Sequence, residues 1–175
     1  VFSSSAISVL IAYIFIQKNQ LKTDYLTGLY NRRQFDNYLS DLSEKKRNFA
    51  GVMIDIDNFK HINDKLGHII GDNALERTAK ILRDSFGAGD FLSRYGGDEF
   101  VVITEISDMD KLKERVDVLR KNVLEFNLSG QQPYKLNLSI GYDLYDAGTM
   151  SIQEFILHID RLMYKDKHYN KNQPS

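Results

Sequence analysis

The sequence predicts an α+β domain, one sheet with helices packed against it. Three observations carry that prediction. "FAGVMIDI" (residues 49–56) is a nearly unbroken apolar run rich in β-branched side chains, the pattern of a strand buried on both faces. "FLSRY" and "EFVVIT" flank the Gly96-Gly97 pair, and adjacent glycines between strands mark a hairpin, because glycine accepts the positive φ of a type I′ or II′ turn. Four other stretches place apolar residues at helical spacing.

Taken in order, the first helix follows Asn31, a residue type suited to an N-cap, and puts Phe35, Tyr38, Leu39 and Leu42 on one face before ending near Lys46. The buried strand comes next and carries Asp55 and Asp57 at its end. Residues 72–86 predict a helix that starts at Asp72, with Ala74, Leu75, Thr78, Ala79 and Leu82 turned inward. After the hairpin, "MDKLKERVDVLRKNVLEF" is an amphipathic helix, "YKLNLSIGYDLY" an alternating strand and "SIQEFILHIDRLMYKDKHY" a closing helix. The predicted order is helix, strand, helix, hairpin, helix, strand, helix.

A chain of 175 residues, 42% hydrophobic and 27% charged, suffices for one domain with one sizeable core. The net charge of −1 provides no broad positive field for a nucleic-acid backbone, so none is expected as a partner. The absence of cysteine excludes disulfides, thiolate zinc sites and a cysteine nucleophile. Any metal must therefore sit on carboxylates, histidine or backbone oxygens, which favours a hard ion such as Mg²⁺.

The first residues differ from the rest. "VFSSSAISVLIAYIFIQKNQLK" is almost uncharged through Ile16 and then basic at Lys18 and Lys22. Residues 1–23 are expected to be the end of a transmembrane or signalling helix, with lysines that place the following domain on the cytoplasmic side of the cell membrane. The alternative is a core or dimer helix built on Ile7, Leu10, Ile11 and Ile14.

Two carboxylate clusters suggest the chemistry. Acids at a hairpin tip are ordinarily solvated, and Asp98 and Glu99 alone would say little. "DIDNFKHINDKLGHIIGD" (residues 55–72) changes that, since it begins where a buried strand runs out. A carboxylate buried there without a partner costs several kcal/mol, roughly, so a cation is expected beside Asp55. If the hairpin lies next to that strand, Asp55 and Asp98 converge into an oxygen-rich site suited to Mg²⁺ shared with substrate phosphates. Lys60 could then neutralise phosphate charge, and Asn63 with Asp72 offers the donor and acceptor set that reads a guanine edge. A loop amide and a helix N-cap are the competing roles for those two residues.

Five blocks in order resemble the GGDEF domains, whose active members are diguanylate cyclases: "DYLTGLYNRR" (24–33), residues 55–72, "RYGGDEF" (94–100), "LSIGY" (138–142) and the less regular "HIDRLMYKDKHYNKN" (158–172). The resemblance implies a domain over residues 24–172, with 173–175 as a tail, and a palm-like fold of nucleotidyl cyclases with a mainly antiparallel five-stranded sheet. It also implies a homodimer that condenses two GTP molecules to cyclic di-GMP and two pyrophosphates with Mg²⁺ or Mn²⁺. By position, Asp55, the Ile56 carbonyl, Asp98 and Glu99 would hold metal, and Glu99 would alternatively help deprotonate the 3′-hydroxyl. Asn63 and Asp72 would read guanine, Lys60, Lys167 and Lys171 would meet phosphate, and Phe59, Gly96 and Gly97 would line the nucleotide.

Two departures stand out. The Arg-x-x-Asp product site common in active cyclases is reduced here to "GAGD", with Gly87 in the arginine position and Asp90 kept, so product inhibition is expected to be absent or weak. In the last block Ile159, Leu162 and Asp166 replace small residues, and Asn170 and Lys171 replace a Gly-Arg pair. Asp166 is expected to weaken the positive potential beside Lys167. The competing functional reading is a catalytically weak or inactive domain that binds GTP or a protein and signals.

Overall fold

The computed structural model describes residues 7–11 and 22–171. Five strands form one sheet: β1 (Tyr30–Asn31), β2 (Phe49–Ile56), β3 (Phe91–Arg94), β4 (Glu99–Thr104) and β5 (Leu138–Tyr145), in the order β1-β3-β4-β2-β5. Only β1 pairs in parallel, with β3; the other contacts are antiparallel. The helices are α1 (Arg32–Glu44), α2 (Phe59–Leu66), α3 (His68–Ser85), α4 (Met109–Leu128) and α5 (Ile152–Lys171).

All eight residues of β2 are buried, because this strand lies inside the sheet and is covered on both sides. Its even-numbered residues Ala50, Val52, Ile54 and Ile56 join a core with α3 and α4, through Leu75, Leu82, Leu112 and Leu119 among others. Phe49 and Met53 face the opposite core, made with Phe35 and Leu42 of α1 and Phe155, Ile159 and Met163 of α5. The pleat therefore turns Asp55 toward the α5 side. Asn31 caps α1, accepting from the Gln34 amide at 3.0 Å, as its sequence position predicts.

Helix α5 lies unusually close to the sheet. A Cβ on Gly141 of β5 would stand 2.2 Å from both the Ile159 carbonyl oxygen and the Met163 nitrogen, so this strand position must be glycine for the helix to rest there. The larger residues of the last block are also accounted for: Ile159 is buried in the core, and Asp166 Oδ2 accepts the Ile140 amide at 2.9 Å and stands 3.6 Å from Arg120. Asp166 thus also ties α5 to the edge of β5, a structural role that its place beside Lys167 did not reveal.

Several predicted boundaries are corrected. Helix α3 begins at His68 rather than Asp72, with Gly67 (φ 87°) before it, and α2 and β1 were not predicted. Neither Gly96 nor Gly97 adopts a positive φ, so the hairpin is not a type I′ or II′ turn; residues 95–98 form a longer loop in which the Tyr95 and Gly96 amides both donate to the Glu99 carbonyl. Most of the expected membrane segment lies outside the described residues. Within residues 7–11, Ile7, Leu10 and Ile11 are exposed, which does not fit a core helix. No helix among the described residues is long and apolar enough to cross a membrane.

Candidate active site

The hairpin does lie next to β2. Asp55 and Glu99 are directly opposed across β2 and β4, and the Ile56 amide donates to the Asp98 carbonyl at 3.2 Å. Opposed residues of an antiparallel pair share a face, so Asp55 and Glu99 both point toward α5. Ser139 of β5 is the other partner of Asp55 in register. Across this row comes Lys167 of α5, whose Nζ lies 2.5 Å from Asp55 Oδ1. A cationic side chain thus stands beside Asp55, that of Lys167, which the family resemblance assigns to phosphate.

One ammonium does not neutralise this cluster. Burial pushes the Asp55 carboxyl above its ordinary value; Lys167 pulls it down, and Asp98 and Asp57 push it up again. Glu99 is raised too, by burial and then by Asp55, Asp98 and Asp160. Burial disfavours the Lys167 charge, yet Asp55, Asp57 and Asp98 together hold its pKa above the ordinary value. All three shifts have the same origin, an excess of negative charge in a partly dry pocket. Among the described residues no three acidic or histidine side chains already converge as a finished metal centre. The oxygen donors at this strand end that could contribute to binding a hard divalent cation are Asp55, Asp98, Glu99 and the Ile56 carbonyl.

The two glycines of the loop serve different ends. A Cβ on Gly96 would come within 2.3 Å of Glu99 Oε2, so its absence leaves room for that carboxylate to fold back over the loop. A Cβ on Gly97 would meet nothing within 4 Å. Among the described residues nothing crowds this side of Gly97, so the space above it is open.

A second group of predicted residues gathers at the corner between α2 and α3. Asn63 packs its side chain on the backbone of Gly71, where a Cβ would stand closer to Asn63 Oδ1 than any real contact allows, at 1.9 Å. Asp72 follows directly and is exposed. Because α3 starts four residues earlier, at His68, Asp72 does not cap it, which removes the competing structural role. Phe59 is half-buried against the α3 and α4 core, and Lys60 beside it is exposed. The Lys171 side chain lies outside the described residues.

Sequence reasoning missed three features. Asp57, almost fully buried, accepts the Ser139 hydroxyl at 2.6 Å and fixes the end of β2 to β5. Asp160 of α5 adds to the negative field on Glu99. Arg94 donates to both oxygens of Asp24 at 3.2 Å and, through Nε and Nη2, to the Gly97 carbonyl at 3.1 and 2.7 Å. Asp24 also accepts from the Thr27 amide and hydroxyl at 2.8 and 2.7 Å. The Asp24 and Arg94 partners are 70 residues apart, so only the local Asp24/Thr27 spacing hinted at this brace. The Asp90 carboxylate of the reduced product motif is engaged locally, accepting the Gly87 amide at 2.7 Å.

The brace has a testable pH signature. Burial raises the Asp24 pKa, but the Thr27 hydrogen bonds and Arg94 outweigh it and hold the carboxyl below its ordinary 3.8. The ionised form therefore adds stability that is present above that ordinary value and lost as pH falls through the lowered one. Asp24→Asn is expected to cost about 1–2 kcal/mol at neutral pH. Urea midpoints should show the gap to wild type closing in acid.

Comparison with known proteins agrees with this architecture. The family model "Diguanylate cyclase, GGDEF domain" matches residues 21–173. Diguanylate cyclase DgcM of Escherichia coli (strain K12) is 30% identical over 154 residues, which is 85% of this chain and 37% of that protein. The uncharacterized membrane protein SERP0413 of Staphylococcus epidermidis is 35% identical over 130 residues, 71% of this chain and 36% of that protein. The chain thus spans little more than a third of these relatives. The crystal structure of the coiled coil and GGDEF domain of DgcB from Caulobacter crescentus, in complex with c-di-GMP, shares the fold, with a TM-score of 0.81 at 23% identity over 94% of this chain and 90% of that one. A match running from residue 21 to residue 173 takes in the whole sheet and every helix packed on it, and the chain belongs to the diguanylate cyclase GGDEF domain family.

Proposed function

We propose that the domain condenses two GTP molecules into cyclic di-GMP and two pyrophosphates, working as a homodimer with one nucleotide on each subunit. The observation that carries this reading is the Asp55/Glu99 pair across β2 and β4 with Asp98 bonded to the same strand end, an acidic row that a single lysine leaves undercompensated. A bound Mg²⁺ or Mn²⁺ would activate the attacking hydroxyl and stabilise the leaving oxygen. The remaining work falls to the chain.

Asn63 and Asp72 receive the guanine: a carboxylate accepts from guanine N1 and N2, a donor pair adenine lacks. Phe59 and the backbone of Gly96 and Gly97 line the nucleotide, and Lys60, Lys167 and Lys171 take the phosphate charge. The 3′-oxygen of one GTP then attacks the α-phosphorus of the other, forming the new ester bond as the bond to pyrophosphate breaks. Glu99, whose carboxyl is raised above its ordinary pKa by burial and the neighbouring acids, is suited to receive the hydroxyl proton. The same step with the roles exchanged closes the ring. With Gly87 in place of an arginine and Asp90 held by the Gly87 amide, product inhibition through that motif is absent or weak.

In the full protein, the apolar segment before Lys18 and Lys22 tethers the domain to the cytoplasmic face of the cell membrane, and signals act by changing how two domains face each other. Resemblance to SERP0413, named a membrane protein, supports the tether.

The reading is tested by incubating the purified dimeric chain with GTP and Mg²⁺ and resolving the products by chromatography. Cyclic di-GMP with two equivalents of pyrophosphate is expected. GTP binding without product would overturn the cyclase reading and leave a nucleotide-binding signalling module.

Guanine recognition can be probed separately. Gly71→Ala must push the Asn63 amide aside, and because the clash is with the end of a flexible side chain the fold should survive. GTP affinity is expected to fall about tenfold to a hundredfold, the loss of one or two good hydrogen bonds. ATP binding, measured beside it by fluorescence titration, should change little.

A further inference from the structure

Lys167 reaches Asp55 from 112 residues away in sequence, and it does so from a helix packed closely on the sheet. Gly141 lets α5 sit on the backbone of β5, Ile159 and Met163 are buried beneath it, and Asp166, next to Lys167, is tied to the Ile140 amide. The base of the lysine is thus fixed while its four methylenes are free to turn. Its Nζ stands 2.5 Å from Asp55 Oδ1, and the Asp55 side chain has little other access to solvent, the residue being 6% exposed.

An ammonium and a divalent ion cannot share that oxygen comfortably. A magnesium ion binds carboxylate at about 2.0–2.1 Å. Seated there, it would lie within a few ångströms of the ammonium in a pocket where charges are poorly screened. The other Asp55 oxygen, Oδ2, belongs to the same carboxylate, so an ion bound there would still stand close to the ammonium on Oδ1.

We propose that Lys167 and a divalent cation compete for Asp55, so that the lysine is a resident counter-ion that yields its place when a triphosphate arrives to take its charge. Metal binding is then weak by itself and strong with nucleotide, and by linkage each ligand tightens the other. The proposal rests on the metal and phosphate assignments above and concerns the order in which those charges change partners.

The test is a Mn²⁺ titration followed by electron paramagnetic resonance, with the protein alone and with 3′-deoxy-GTP, which lacks the attacking hydroxyl. For the wild type, the nucleotide should tighten Mn²⁺ binding about tenfold or more. Lys167→Met should bind Mn²⁺ alone about tenfold more tightly than wild type, with the nucleotide effect much reduced. Lys167→Gln, which keeps a hydrogen-bond donor for Asp55, guards against a folding defect and should shift in the same direction. Unchanged or weaker Mn²⁺ binding in either folded variant would overturn the proposal, and so would no binding in any of the three proteins. A wild type that makes no cyclic di-GMP while the variants still shift would instead overturn the cyclase reading alone.

Discussion

Asp98→Ala is expected to abolish cyclic di-GMP formation, with a loss of about a thousandfold or more, the scale seen when charge-stabilising groups are removed from an active site. The fold should not change. Among the described residues the Asp98 side chain accepts no hydrogen bond; its structural contribution is the main-chain carbonyl that receives the Ile56 amide, which alanine retains. Its charge is another matter, since it acts on Asp55, Glu99 and Lys167 together. Circular dichroism and the thermal midpoint should match wild type while chromatography finds GTP unconsumed. Asp55 would be the poorer choice for this experiment, because removing it also leaves Lys167 half-buried without its partner.

Gly141→Ala is expected to have the largest effect on stability. The added methyl would meet the Ile159 carbonyl and the Met163 nitrogen at 2.2 Å, and backbone cannot swing away as a side chain can. Helix α5 would have to lift, opening the core built from Phe155, Ile159 and Met163. Overpacking of this kind costs roughly 1–3 kcal/mol and occasionally more. Against backbone the upper end applies, about 3 kcal/mol or beyond, a large share of a typical domain's total. A urea midpoint well below wild type is the expected reading. Gly71→Ala is the contrast: the contact is nominally shorter, yet it falls on a movable amide, so function suffers and stability does not.

What the sequence made legible was what local pattern encodes. The unbroken apolar run of β2, the inward set of α3 and the Asn31 cap were all read correctly, because each depends on residues a few positions apart. The hairpin does neighbour β2, as the reading of the two clusters required, but the residue it sets directly opposite Asp55 is Glu99 rather than Asp98. Other features left too weak a local trace. Helix α2 is entered through Asn58 at φ 56° without a side-chain cap and closed by Gly67, so both ends resemble turns. Gly67 also precedes α3, which hid its true start. A strand of two residues has no periodicity to detect. The Asp24/Arg94 brace and the Lys167/Asp55 pair depend on chain crossings of 70 and 112 residues, which only the assembled sheet brings together.

The tie from Asp166 to Ile140 bears on how copies of this domain can assemble. A sheet ordinarily invites growth at its borders, where unpaired amides await another strand. Here one border is the two-residue β1, and the other, β5, has its Ile140 amide already engaged by Asp166 with Arg120 close behind. A strand added along β5 would have to displace Asp166 from the Ile140 amide. Edge-to-edge pairing is hindered at both borders, and the ends of β2 and β4 that carry Asp55 and Glu99 lie on interior strands, away from either border.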